Sequence, residues 1–93
     1  MRVGVNGAVG QMGRAVCAAV AADADLTLVA AVDRRSAGEE INDMVVSDRL
    51  QAFADAECDV VVDFTVAEAA RTTLPWLGKH GIHTVVGTTG FTD

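Results

Sequence analysis

The stretch RVGVNGAVGQMG, residues 2–13, decides the fold of this chain. It opens with a short apolar run over 2–6, which has the length of a β-strand. A glycine then stands at every third position from Gly7 to Gly13. From Gln11 to Ala22 the apolar side chains repeat at helical spacing. The stretch therefore predicts a strand, a glycine turn and a helix in direct succession. The predicted apolar face of this helix consists of Met12, Ala15, Val16, Ala19 and Val20.

Apolar runs and helical patterns alternate along the rest of the chain. Strands are predicted over 26–32, 59–64 and 82–86, with a minor strand over 44–46 after a loop over 33–43. These strands are continuous apolar runs, which is typical of a parallel sheet covered on both faces. The predicted fold class is therefore α/β, a Rossmann-like parallel sheet with helices on both faces.

Two further helices have recognisable ends in the sequence. Ser47 is predicted to cap a short helix over 48–56. Thr65 precedes a glutamate by three positions, as in a capping box, and a helix is predicted from there to His80. Pro75 lies inside this helix, and Gly81 fits the position just after its end.

Length, charge and cysteine usage exclude several classes of function. The chain has 93 residues, 51% of them hydrophobic, so one folded domain is expected. A net charge of −6 argues against nucleic acid as a partner. No apolar run is long enough to span a membrane and no signal-peptide layout is present, so a cytoplasmic protein is expected. Cys17 and Cys58 are predicted to be reduced core thiols, and no metal-ligand spacing occurs.

The glycine turn has the pattern of a phosphate-binding turn. Gly7 would let the chain turn sharply, Gly10 would let a pyrophosphate approach the backbone, and Gly13 would let the helix lie close to the sheet. The start of the helix supplies amides and a partial positive charge to an anion. The structural alternative is a tight strand-to-helix turn that binds nothing.

An acidic residue followed by two arginines ends the second predicted strand. Asp33 stands twenty positions after Gly13, where a carboxylate can accept hydrogen bonds from an adenosine ribose. Arg34 and Arg35 could pair with a 2′-phosphate or stack on adenine. Asp33 favours NAD and the arginines favour NADP, so together they predict dual use of NADH and NADPH. The alternative is a solvated start of a loop.

Two more turns follow predicted strands. Phe64 is either a core residue or a wall against the nicotinamide, and Thr65 caps the next helix. The segment 87–90, Gly-Thr-Thr-Gly, could contact the nicotinamide ribose or a substrate carboxylate, or it could be a plain β-turn. His80 and His83 are interpreted as a helix end and a strand position, not as a catalytic pair.

Four segments of the chain together resemble one enzyme family. They are Val-Gly-Val-x-Gly-Ala-x-Gly-x-Met-Gly from residue 3, Asp-Arg at 33–34, Val-Val-Asp-Phe-Thr at 61–65 and Val-Val-Gly-Thr-Thr-Gly-Phe at 85–91. In this order and spacing they resemble the N-terminal half of the 4-hydroxy-tetrahydrodipicolinate reductases. The resemblance implies a cofactor site at Gly7, Ala8, Val9, Gly10, Gln11, Met12, Asp33, Arg34, Phe64, Thr65, Gly87, Thr88 and Thr89, with Thr89 nearest the substrate. Family members often carry Arg or Lys where this chain has Gln11.

The resemblance also implies an activity. The family reduces 4-hydroxy-tetrahydrodipicolinate to tetrahydrodipicolinate with NAD(P)H in the diaminopimelate and lysine pathway, as homotetramers acting on a cyclic dicarboxylate. Residues 1–93 are expected to be an incomplete NAD(P)-binding domain without the C-terminal substrate and tetramerisation domain. No catalytic residue is assigned, and the chain alone is expected to be inactive. Alternatives are another amino-acid-type NAD(P) dehydrogenase, or a non-catalytic module that binds NAD(P) or coenzyme A.

Overall fold

A computed structural model of the chain describes residues 1–42, 44–64 and 67–86. Strands and helices alternate along it, as the sequence predicts. In chain order the elements are β1 (Arg2–Asn6), α1 (Gln11–Ala22), β2 (Thr27–Val32), β3 (Glu40–Ile41), β4 (Met44–Val45), α2 (Gln51–Asp55), β5 (Val60–Asp63), α3 (Ala67–Lys79) and β6 (His83–Val86).

Four parallel strands form the central sheet in the order β2-β1-β5-β6. The register places Asn6, the last residue of β1, between Val32 and Asp63, the last residues of β2 and β5. Val86 ends β6 beside Asp63. The carboxyl ends of all four strands therefore lie along one edge, which is where open α/β sheets bind ligands. The predicted fold class is confirmed.

Helices cover both faces of the sheet, and each face has its own apolar core. One core joins α2 and α3 to the sheet through Phe53, Leu77 and Val61. The other joins α1 to the sheet through Cys17 and Val5. Both cysteines are buried free thiols, as predicted. Burial raises the pKa of the Cys58 thiol to about 11.

Helix α1 turns a different face to the sheet from the one predicted. Its buried residues are Gly13, Cys17 and Val20, whereas Met12 is 56% exposed. Ala15 and Ala19 are exposed too, and Val16 is half-buried. The predicted apolar face was therefore wrong for Met12, Ala15 and Ala19. Only Val20 is fully buried as predicted, and Val16 is half-buried. The physical reason is the close approach of Gly13 to the turn before the helix, which fixes the helix rotation.

The segment between β2 and α2 also differs from the prediction. The predicted minor strand exists, but it pairs antiparallel with β3, which was predicted to be loop. Asn42, at φ 49°, turns the chain between the two strands. Ser47 does not cap α2, which begins later, at Gln51; its hydroxyl instead accepts a hydrogen bond from the Arg49 amide at 3.1 Å. Ser47 pairs with the edge of β2, because its amide donates to the Ala31 carbonyl at 3.0 Å.

Helix α3 ends as the sequence predicts. Gly81 has a φ of 72°, and the Ile82 amide donates back to the Leu77 carbonyl at 2.9 Å. This is the hydrogen-bond pattern of a Schellman motif, which glycine favours because it has no Cβ. The helix continues through Pro75. The predicted capping residue Thr65 lies outside the described residues.

Arg2 ties the first strand to the end of α2. Its Nε and Nη2 donate to the Ala56 carbonyl at 3.0 and 2.6 Å, at the negative end of that helix. Arg2→Met keeps an aliphatic stem but removes both donors. Because Arg2 is exposed, we expect a loss of about 1 kcal/mol, or a fall in melting temperature of roughly 4–8 °C. Thermal unfolding followed by circular dichroism measures it.

Arg49→Met is the matched control for this change. The Arg49 side chain makes no hydrogen bond to any residue of the described ranges 1–42, 44–64 and 67–86, so its variant should melt within about 1 °C of the parent chain. Equal shifts for both variants would show that only the change in net charge matters.

Candidate functional site

A cleft of about 640 Å³ opens at the carboxyl edge of the sheet. It lies where β1, β2 and β5 end, so its walls come from the segments that follow these strands. The described residues that line it are Asn6, Gly7, Val9, Gly10, Val32, Asp33, Arg34, Arg35, Ser36, Asp48, Leu50, Phe64 and Thr73.

The first part of the glycine turn is held by the end of β2. The Gly7 amide donates to the Val32 carbonyl at 2.8 Å, and the Ala8 amide donates to the same oxygen at 3.2 Å. Gly7 has a φ of 81°, a conformation that glycine adopts readily. Ala8 is fully buried beneath the turn. These two amides therefore fasten the turn to the sheet.

Gly10 and Gly13 are glycines for different reasons. A Cβ on Gly13 would lie 2.1 Å from the Gly7 carbonyl oxygen, so the packing of α1 leaves no room for a side chain there. A Cβ on Gly10 would meet only that same oxygen, at an ordinary 3.5 Å. The backbone at Gly10 (φ −64°, ψ 164°) also suits any residue. The fold requires Gly13 but does not require Gly10.

The first turn of α1 presents amides without a partner. Among the described residues, the amides of Gln11, Met12 and Gly13 find no protein acceptor, and the first intrahelical bond is from Arg14 to the Gly10 carbonyl at 2.9 Å. The N-cap residue is Gly10, which has no side chain to satisfy them. Such a helix end carries a partial positive charge and binds anions. A phosphate could approach these amides over the bare Cα of Gly10.

Asp33 links the glycine turn to the loop that follows β2. Its Oδ2 accepts from the Val9 amide and its Oδ1 accepts from the Arg35 amide, both at 3.1 Å. Each carboxylate oxygen keeps a second lone pair, which a ribose hydroxyl could use. Arg34 and Arg35 line the cleft beside it. The acidic and basic groups that the sequence places at the adenosine end therefore share one wall.

The remaining predicted site residues fall into three groups. Phe64 lines the cleft and packs against the core that contains Val5, so its predicted core role is confirmed and its role as a wall against the nicotinamide stays a prediction. Gln11 and Met12 are exposed at the start of α1. The other predicted residues, Thr65, Gly87, Thr88 and Thr89, lie outside the described residues.

Several cleft residues were not assigned to the site from the sequence. Asn6 is the last residue of β1, and this position at the carboxyl end of a strand could have indicated that it lines the cleft. Asp48 and Leu50 reach the cleft because the neighbouring Ser47 pairs with β2, and no local pattern signals that pairing. Thr73 comes from α3. The His80 ring stacks on the Trp76 ring with their centroids 3.9 Å apart, and neither residue lines the cleft, in keeping with the predicted place of His80 at a helix end.

A family model for the N-terminus of dihydrodipicolinate reductase matches residues 1–93. The chain belongs to this family. It corresponds to the NAD(P)-binding N-terminal domain of these oxidoreductases of lysine and diaminopimelate biosynthesis. Within the described ranges, no helix has the length and hydropathy to cross a membrane, and no cluster of metal-ligating side chains occurs.

The curated relatives are named 4-hydroxy-tetrahydrodipicolinate reductases. The 4-hydroxy-tetrahydrodipicolinate reductase of Nocardia farcinica is 47% identical over 91 residues, which is 98% of this chain and 32% of the relative. That of Cutibacterium acnes is 47% identical over 93 residues, again 32% of the relative. The chain therefore spans about a third of the length of the curated relatives it matches.

Solved structures agree on the fold. The dihydrodipicolinate reductase of Paenisporosarcina sp. TG-14, solved with dipicolinate bound, matches with a TM-score of 0.83 at 25% identity, covering 100% of this chain and 39% of that one. The aspartate semialdehyde dehydrogenase of Candida albicans, solved with NADP, matches with a TM-score of 0.78 at 22% identity over 97% of this chain and 30% of that one. The second likeness shows a shared fold alone.

Proposed function

We propose that this chain binds NADH or NADPH across the cleft at the carboxyl edge of the sheet. The dinucleotide pyrophosphate would lie on the first-turn amides of α1, and the adenosine would extend toward Asp33 and Arg34. One observation carries the proposal: within the described part of the chain, three amides at the start of α1 have no protein acceptor, and they stand behind a glycine that the fold does not require. This arrangement fits a pyrophosphate, which needs amide donors and a close approach to the backbone.

Backbone amides can bind an anion even though this protein is acidic. The chain carries a net charge of −6, yet the proposed ligand is an anion. Among the described residues no acidic side chain lies in the first turn of α1, so the partial positive charge of the helix end is not cancelled locally. Arg34 and Arg35 add full positive charges on the adenosine side of the cleft.

The domain would serve a reductase that converts 4-hydroxy-tetrahydrodipicolinate to tetrahydrodipicolinate. The bound cofactor supplies the hydride, and the residues of this chain bind and orient it. A relative solved with dipicolinate, a cyclic dicarboxylate, supports the substrate class. Because β6 ends at the same edge as the cleft, Gly87, Thr88 and Thr89 are proposed to lie near the nicotinamide, with Thr89 nearest the substrate. Homotetramer formation and the reaction itself are proposed for the longer protein, and the 93-residue chain alone is expected to turn nothing over.

Calorimetric titration of the 93-residue chain with NADH, NADPH and coenzyme A tests the binding proposal. We expect saturable binding of one or both dinucleotides at one site per chain, and no comparable binding of coenzyme A. Binding of coenzyme A alone would favour a non-catalytic nucleotide module. Absence of binding by a chain that circular dichroism shows to be folded would contradict the proposal.

Arg34→Ala tests whether the Arg34 side chain binds the 2′-phosphate of NADPH. A charge-assisted contact contributes about 1.5–3 kcal/mol, so NADPH affinity should fall about tenfold or more, while NADH affinity changes little. Arg49→Ala, which removes the same charge outside the cleft-lining residues, is the control. An equal loss for both dinucleotides in Arg34→Ala would mean that Arg34 does not distinguish them.

A further inference from the structure

Both backbone polar groups of Val9 are held by side chains from other parts of the chain. The Val9 amide donates to Asp33 Oδ2 at 3.1 Å, and the Val9 carbonyl accepts from Arg14 Nε at 2.9 Å. Val9 directly precedes Gly10, the N-cap of α1. These two contacts therefore set the path of the backbone just before the unpartnered amides.

Arg14 has a second partner that is distant in sequence. Its Nη2 forms an ion pair with Glu39 Oε1, in the segment between β2 and β3. The Glu39 amide donates to the Ser36 carbonyl at 3.1 Å, and the Ser36 amide donates to the Asp33 carbonyl at 3.3 Å. Val9, Arg14, Glu39, Ser36 and Asp33 thus form a closed ring of hydrogen bonds, called here the Val9 ring.

The Val9 ring joins the two parts of the cleft that a dinucleotide would bridge. One side of it is the glycine turn, and the other is the loop that carries Arg34 and Arg35. Arg14 and Glu39 do not line the cleft, and their side chains are 47% and 42% exposed. They do not contact a ligand in the cleft, so an effect on its position would act through the backbone that they hold.

We propose that Arg14 and Glu39 are positioning residues for the dinucleotide, which fix the glycine turn and the Asp33–Ser36 loop at one separation. The inference rests on the proposed function, since it assumes a ligand that contacts both. A ligand that bridges two segments binds more tightly when the segments are already in place, because less ordering accompanies binding. Breaking the ring should therefore weaken binding without removing any ligand contact.

A double-mutant cycle with Arg14→Met and Glu39→Met tests the inference, because neither methionine can form the Arg14–Glu39 contact. Each single variant is expected to raise the dissociation constant for NADH by about 3–10-fold, and the double variant should be no weaker than the weaker single one, because the two residues act as one unit. Glu40→Met and Arg49→Met are the matched controls, since both residues are exposed and outside the cleft-lining residues. Both controls should bind NADH like the parent chain.

A second measurement separates positioning from a general loss of stability. Hydrogen exchange of the Val9 amide in the nucleotide-free chain should accelerate in both single variants, while the melting temperature stays within a few degrees of the parent. If Arg14→Met folds poorly, Glu39→Met alone decides the question, because it removes the acceptor for Arg14 Nη2 and leaves the Arg14 hydrogen bond to Val9 in place.

Three results would overturn the inference. The first is an unchanged NADH affinity in both single variants. The second is a double variant whose loss of NADH binding free energy equals the sum of the two single losses. The third is an affinity loss matched by an equal loss of folded protein. If the parent chain is folded but binds no dinucleotide, the proposed function falls as well, so the two failures are distinguishable.

Discussion

Gly13→Ala is expected to lower the free energy of unfolding by about 3 kcal/mol or more. The new Cβ would lie 2.1 Å from the Gly7 carbonyl oxygen and 2.8 Å from the Ala8 Cα, both of them backbone atoms. These atoms cannot retreat without disturbing the Gly7 and Ala8 hydrogen bonds to Val32. Overpacking typically lowers the free energy of unfolding by about 1–3 kcal/mol. A clash with backbone atoms that are held by hydrogen bonds is expected to cost the upper value or more.

Urea unfolding followed by circular dichroism measures this effect. Domains are stable by only about 5–15 kcal/mol, and a chain of this size has a modest core, so a large part of the population could unfold at 37 °C. The matched control is Gly78→Ala in α3, where a Cβ would meet nothing within 4 Å. That change should be neutral or stabilising by about 0.5–1 kcal/mol. A Gly13→Ala chain as stable as the parent would show that α1 does not rest on the glycine turn.

Gly10→Ala is expected to leave the fold intact and to weaken dinucleotide binding about tenfold or more. Alanine adopts the Gly10 backbone conformation, and its methyl group would make only an ordinary contact, 3.5 Å from the Gly7 carbonyl oxygen. The methyl group would, however, occupy the space through which the proposed pyrophosphate would approach the first-turn amides. Each charge-assisted hydrogen bond lost contributes about 1.5–3 kcal/mol, which corresponds to tenfold or more in affinity.

Calorimetric titration with both dinucleotides, alongside a melting curve, measures the Gly10 effect. NADH and NADPH should lose the same factor, because they share the pyrophosphate; this distinguishes the variant from Arg34→Ala. Gly78→Ala again serves as the glycine-to-alanine control and should bind like the parent. Undiminished affinity in Gly10→Ala would place the phosphates elsewhere in the cleft.

Gly10 and Gly13 belong to one sequence motif but have different roles in the structure. The spacing of Gly7, Gly10 and Gly13 predicts a turn between a strand and a helix, and the structure confirms it. The motif does not say which glycine serves the fold and which leaves space for a ligand. That distinction depends on the distance from each Cα to the opposite backbone, which is a tertiary quantity.

Local patterns by themselves determined the main elements of this protein. The bounds of β1 and α1, the glycine end of α3 and the parallel α/β class follow from apolar runs, helical spacing and a left-handed glycine at residue 81. The element bounds depend on interactions among residues close together in the chain, and the alternation of apolar strands with helices indicates the parallel class.

Only the tertiary structure decided which face of α1 is buried, how β4 pairs and which residues complete the cleft. The face of α1 was wrongly predicted because the close contact of Gly13 with the turn fixes the rotation, against the apolar stripe that includes Met12. Asp48 reaches the cleft only through the pairing of Ser47 with β2, and Glu39 reaches Arg14 across 25 positions. Such contacts join segments far apart in sequence, and the local pattern of apolar residues does not indicate which distant residue a side chain will contact.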